Sequence, residues 1–159
     1  MFDTVLIAGL GLMGGSMAKT IKARTLSRVL GWNRTRATAE QALADGSIDA
    51  IATEALYKEA DLVIIGLYPQ ATVDWLLENM PKMKKGCVIV DMVGVKQFMV
   101  DHLEQAALDA GVHYVGGHPM AGREFSGLDF ALPTLFDGAS MIFVPTRSSN
   151  ERVLEQLEA

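Results

Sequence analysis

At 159 residues, half of them apolar, the chain fits one globular domain with a sizeable buried core. Its net charge of −5 argues against a nucleic-acid partner, because a surface that tracks phosphates is normally basic overall. Apolar runs such as LVIIGLY at 62–68 fall far short of the roughly 18 residues that a membrane span needs. A single cysteine, Cys87, excludes an internal disulfide framework and reads as a small buried strand residue. Met1-Phe2 leads into an acidic residue and a strand rather than a signal-peptide pattern, so a cytoplasmic location is expected.

In chain order, apolar runs rich in β-branched residues stand at 4–9, 28–33, 49–53, 61–68, 87–92, 112–117 and 141–146. Most are continuous rather than alternating, the pattern of strands covered on both faces. Helical spacing fills the intervals 14–24, 35–46, 69–80 and 96–111. Strands alternating with helices of this length predict an α/β fold, a doubly wound and mostly parallel sheet with right-handed crossovers. Ser148-Ser149-Asn150 is a good helix start, and ERVLEQLEA begins an amphipathic helix. The expected organisation is a dinucleotide-binding domain over 1–147, with 148–159 opening a helix that leads into a longer natural protein.

The first strand runs into GLGLMGG. Gly9, Gly11 and Gly14 have the G-x-G-x-x-G spacing between a strand and a helix, as in a Rossmann-type nucleotide site. Gly9 permits the tight turn, Gly11 lets a pyrophosphate approach the backbone, and Gly14 lets the helix pack on the strand. Leu12 and Met13 would offer their amides at the positive end of that helix. From Thr4 to Ala39 there is no acidic residue, while Lys19, Lys22, Arg24, Arg28, Arg34 and Arg36 are basic. That local excess suggests either solvated helix faces or an anionic ligand.

The end of the second strand bears on the choice of cofactor. An NAD site usually carries an acidic residue there, about 20 residues beyond the glycines, for the ribose 2′-hydroxyl. Here the residues are Asn33, Arg34, Thr35 and Arg36. Guanidinium groups suit a 2′-phosphate, so NAD(P) is the expected cofactor and NADP is favoured over NAD. Leu67, Tyr68 and Pro69 turn at the carboxyl edge of the fourth strand; Tyr68 either lines the cofactor or caps the core. No metal site is expected.

The run GGHPMAGRE places His118 after a later strand, at the same carboxyl edge. An imidazole there suits removal of a hydroxyl proton while hydride leaves the same carbon. His102, on a helix face, and His113, at a strand start, read as structural.

With these pieces the chain resembles prephenate dehydrogenases, including the related arogenate dehydrogenases. The resemblance rests on GLGLMGGSMA (9–18), DLVIIGLYP (61–69), DMVGVK (91–96), GGHPMAGREFSG (116–127) and LF-x-G-A (135–139). It implies oxidative decarboxylation of prephenate to 4-hydroxyphenylpyruvate in tyrosine biosynthesis, with His118 as the base acting on the ring 4-hydroxyl. It also implies substrate contacts from Lys96, Glu124 and Ser126, and a C-terminal helical domain that makes a homodimer. Residues 1–159 alone would then bind dinucleotide with little or no turnover. Gly94 departs from the serine common at that position, so its backbone or a water would serve the cofactor instead. Arg123 pairs with a substrate carboxylate or with Glu124. Two other readings stay open: an NADP-linked dehydrogenase of the β-hydroxyacid type, favoured by Asn-Arg-Thr at 33–35, and a non-catalytic dinucleotide-sensing module.

Overall fold

The computed structural model describes residues 1–159. Seven strands form one sheet in the order β3-β2-β1-β4-β5-β6-β7. They are β1 (Thr4–Ala8), β2 (Arg28–Trp32), β3 (Ala50–Ile51), β4 (Leu62–Ile65), β5 (Val88–Asp91), β6 (His113–Pro119) and β7 (Met141–Pro145). All pairs are parallel except β6 with β7. The helices are α1 (Leu12–Arg24), α2 (Arg36–Ala44), α3 (Glu54–Tyr57), α4 (Pro69–Asn79), α5 (Lys96–Ala110) and α6 (Glu151–Glu158).

Continuous apolar strands follow from the two cores. On one face Leu6, Val63, Ile65, Ile89 and Tyr114 pack with Trp75, Leu76, Met99 and Leu103 from α4 and α5. On the other, Val5, Ile7, Ile64, Val88, Val90 and Val115 pack with Ala18, Ala39, Ala42 and Val153 from α1, α2 and α6. Each fully buried aliphatic side chain contributes roughly 1.5–3 kcal/mol, so a polar residue admitted to such a strand needs a partner. Asp91, at the end of β5, is such a residue.

The chain leaves β1 toward β2 on one side and returns at β4 on the other, which opens a crevice at the carboxyl ends of β1 and β4. Predicted stops are in place: α5 ends at Gly111 with φ +71°, and the Asn150 side chain accepts from the Val153 amide (3.0 Å) to start α6. Cys87 is fully buried, and burial pushes its thiol up to about 12.

One expectation needs correction. His118 and Pro119 are not in a loop after the sheet: β6 runs through Pro119, with His118 opposite Ile142 of β7. The antiparallel partner extends the strand past Val115, the last β6 residue paired with β5. The basic excess near the N-terminus is mostly neutralised: Lys19, Lys22, Arg24 and Arg28 pair with Asp45, Asp49, Asp137 and Glu59.

Candidate functional site at the carboxyl edge

At the end of β1, Gly9 has φ +94°, and a Cβ there would meet the Gly66 carbonyl oxygen at 2.7 Å. A Cβ on Gly14 would lie 1.7 Å from the Gly9 oxygen, so α1 can seat on β1 only because that atom is missing. Gly66, which the sequence pattern did not single out, completes the packing: its Cβ would meet Gly14 at 3.0 Å. Gly11 differs, with nothing within 4 Å of a Cβ position. The first α1 amide to find a carbonyl is that of Gly15, on Gly11 (2.9 Å). The amides of Leu12, Met13 and Gly14 are therefore the donors that a helix start leaves free. Open space above Gly11, with amides and a helix dipole facing it, fits a pyrophosphate.

Asn33 holds this turn. Its Oδ1 accepts from the Leu10 amide (2.9 Å) and its Nδ2 donates to the Thr35 carbonyl (3.0 Å), tying the glycine turn to the end of β2. Asn33→Ala strands the Leu10 amide and is expected to cost about 1–2 kcal/mol in a denaturant titration. Arg34 is exposed and makes no side-chain bond, while Arg36, also exposed, pairs with Glu40 one turn on (3.1 Å). Of the basic residues in this third of the chain, these two flank the nucleotide end.

Leu67 and Pro69 are half-buried, and Tyr68 is 85% exposed, so it does not cap the core. It stands at the N-cap of α4, beside the crevice.

On β6 the two glycines before His118 are filled from outside. A Cβ at Gly117 would sit 2.2 Å from the Asp91 carbonyl oxygen, and one at Gly116 would sit 3.0 Å from Lys96 Cδ. Gly94 lies against the imidazole, with a Cβ position 3.4 Å from His118 Cε1 and 3.7 Å from Nδ1. His118 Nδ1 is buried without a protein partner, which leaves Nε2 as the nitrogen available to the crevice. His102 and His113 donate through Nδ1 to the carbonyls of Phe98 (2.7 Å) and Ser148 (2.6 Å), in structural roles. Lys96 does not face water. It forms an ion pair with buried Asp91, and burial pulls its ammonium below the ordinary range while Asp91 pulls it back up.

Arg123 is not paired with Glu124: its Nη1 donates to the Phe130 carbonyl (2.9 Å), and its guanidinium lies 5.5 Å from the Phe125 ring centre. Glu124 and Ser126 are exposed and make no side-chain bond within the chain. The segment after β6 instead anchors to α1 and α2. Ser16 Oγ accepts from the Leu132 amide (3.0 Å), Gln41 donates to Asp129 (2.6 Å), and Gly15 leaves room for Leu128.

A cavity of about 790 Å³ lies away from this edge. It lies between α1 and α6 on the sheet face, lined by Phe2, Met17, Ile21, Phe143 and Leu157. It is apolar and holds none of the candidate residues. No three His, Cys, Asp or Glu side chains are grouped to hold a metal ion, and no helix is long and apolar enough to cross a membrane.

The prephenate dehydrogenase nucleotide-binding domain model matches residues 17–159. The chain belongs to that family. A prephenate dehydrogenase of Bacillus subtilis is 37% identical over 162 residues, covering 99% of this chain and 43% of the relative. Prephenate dehydrogenase of A. aeolicus, solved with hydroxyphenyl propionate and NAD+, superposes at TM-score 0.89 and 26% identity, over 99% of this chain and 56% of that one. Synechocystis arogenate dehydrogenase gives 0.87 and 26%, over 98% and 54%. The chain thus spans about half the length of the relatives it matches.

Proposed function

We propose that this chain is the dinucleotide-binding half of a prephenate dehydrogenase, with residues 1–147 forming the nucleotide domain and α6 leading toward a helical domain that makes a homodimer. That the relatives are about twice as long supports a further domain. The observation that carries the reading is the placement of His118. Its ring stands at the carboxyl end of β6, three strand spacings from β1, about 14 Å along the same edge as the glycine turn.

A bound nicotinamide dinucleotide supplies the hydride acceptor at this edge. The protein's part is to place and deprotonate. Gly11 and the α1 amides hold the pyrophosphate, and His118 Nε2 takes the proton of the ring 4-hydroxyl as hydride leaves the carbon that bears it. The bond to the ring carboxylate then breaks, carbon dioxide departs, and its electron pair aromatises the ring to 4-hydroxyphenylpyruvate. The ring oxygen recovers a proton in that step. Glu124 and Ser126, unpaired and exposed beyond β6, are available to the substrate.

NADP is favoured over NAD because β2 ends without an acid and Arg34 has no internal partner. Arg34→Ala with Arg36→Ala is expected to raise the KM for NADP about tenfold or more, the worth of a lost charge-assisted contact, and to leave NAD unaffected. Steady-state kinetics with the two cofactors decide this; equal losses for both would assign the arginines to solvent.

The test of the reaction itself is full-length enzyme assayed with prephenate and with arogenate, each with NAD and NADP. Oxidation of prephenate is the expected result. A clear preference for arogenate would move the protein to the sister activity in tyrosine biosynthesis, and oxidation of neither would remove the assignment.

A further inference from the structure

A buried polar chain runs along one face of the sheet toward His118. Asp91, fully buried at the end of β5, collects three donors: the Val93 amide on Oδ1 (2.8 Å), the Lys96 ammonium on Oδ1 and the Tyr114 hydroxyl on Oδ2. Side chains alternate along a strand, so Tyr114, Gly116 and His118 share one face of β6. On that face the missing Gly116 side chain makes room for the Lys96 stem, and Gly94 lies against the imidazole. Lysine and imidazole therefore line one strip. The Lys96 side chain is 17% exposed, and Asp91 is its sole partner, so two of its three N–H donors are unspent.

Stability alone does not account for this arrangement. A buried ion pair is often matched or bettered by apolar groups of the same volume, because desolvation consumes the Coulombic gain. The arrangement does fix where one ammonium points.

We propose that Asp91 and Tyr114 are positioning residues that hold the charged Lys96 ammonium along β6, so that its free N–H groups meet the substrate oxygen deprotonated by His118. The inference rests on the reaction proposed above. As that oxygen gives up its proton, the fixed ammonium stabilises the developing negative charge, and Lys96 itself exchanges no proton. Tyr114 is suited to its part, since burial and then Asp91 raise its phenol far above the ordinary range and keep it a donor.

Two measurements test the proposal. In the full-length enzyme, Asp91→Asn is expected to lower kcat about 100-fold, the size of a lost transition-state donor, with dinucleotide affinity unchanged. The alkaline limb of kcat against pH should move to lower pH, because Lys96 loses its counter-charge. Lys96→Met should match that loss, and the double variant should be no worse than Lys96→Met, because the pair acts as one unit. In the 159-residue chain, competitive acetylation of Lys96 against pH should show reactivity setting in at lower pH in Asp91→Asn than in wild type.

Should Asp91→Asn fail to fold, Tyr114→Phe decides: it keeps the ring, removes one bond to Asp91, and is expected to lower kcat about threefold to tenfold, with the limb moved to higher pH because Asp91 keeps its charge and gives up a donor that competes with Lys96. Wild-type kcat and an unmoved limb in the folded variant would overturn the proposal, as would unchanged Lys96 labelling. If wild-type enzyme oxidises neither substrate, the proposed reaction falls with it, while the labelling still reports whether Asp91 holds Lys96 charged.

Discussion

His118→Asn in the full-length enzyme is expected to lower kcat for the proposed prephenate oxidation by about 10²–10⁴-fold, the range that one positioned general base supplies, and to leave dinucleotide affinity intact. Asparagine nearly matches the imidazole in size and retains polar atoms, but it has no basic nitrogen that takes a proton near neutral pH. The backbone around it should not move. His118 lies within β6 opposite Ile142, and the preceding Gly117 is seated on the Asp91 carbonyl oxygen. A strand paired on one side and pinned by a glycine on the other holds a side chain more tightly than a free loop, which suits a group whose geometry sets a rate. The glycine turn proposed to bind dinucleotide is three strands away, so binding and chemistry should separate cleanly. Quenching of tryptophan fluorescence by dinucleotide measures the first and steady-state turnover the second. Turnover within tenfold of wild type would remove His118 from the role of base.

The features that were legible in the sequence are those with a one-dimensional signature. Gly9, Gly11 and Gly14 announce a strand-turn-helix by spacing, the continuous apolar runs announce covered strands, and the position of His118 after one such run places it at the carboxyl edge. Other features depend on contacts between residues remote in sequence. The bond from Asn33 to Leu10 needs β1 and β2 in register, and Asp91 reaches Tyr114 only because Ile89 sits beside it in the sheet. The pattern alone ends β6 at Gly117, because a proline stands two residues on; β7, some twenty residues later, pairs with His118 and Pro119 and carries the strand through them. The basic excess before Ala39 leaves solvated faces and an anionic ligand both open in the sequence, because the acids that pair with four of its six members, Asp45, Asp49, Glu59 and Asp137, lie outside the run. No remote acid reaches Arg34 or Arg36; Glu40, the partner of Arg36, is local.

Gly11→Ala and Gly14→Ala should fail in opposite ways, although the two glycines belong to one motif. A Cβ at Gly14 would overlap the Gly9 carbonyl oxygen at 1.7 Å, and the backbone there cannot yield because Gly9 is itself wedged on Gly66. Helix α1 must lift from β1, opening the packing of buried Ala18 against Val5 and Ile7. The expected cost is about 3 kcal/mol or more, at the severe end for overpacking. Loss of dinucleotide binding would follow from loss of the fold. At Gly11 a Cβ meets nothing within 4 Å and the backbone is extended at φ −80°, so the folded chain has no reason to object. Stability should stay within about 0.5 kcal/mol of wild type. In the proposed site that same open space receives the pyrophosphate on the α1 amides, and a methyl group there would hold it off. Dinucleotide affinity should fall at least about tenfold, or ~1.4 kcal/mol. Thermal unfolding and dinucleotide titration of both variants separate the cases. A stable Gly11→Ala that binds as wild type would mean the phosphates do not lie over this turn, and the nucleotide site would have to be sought elsewhere on the sheet.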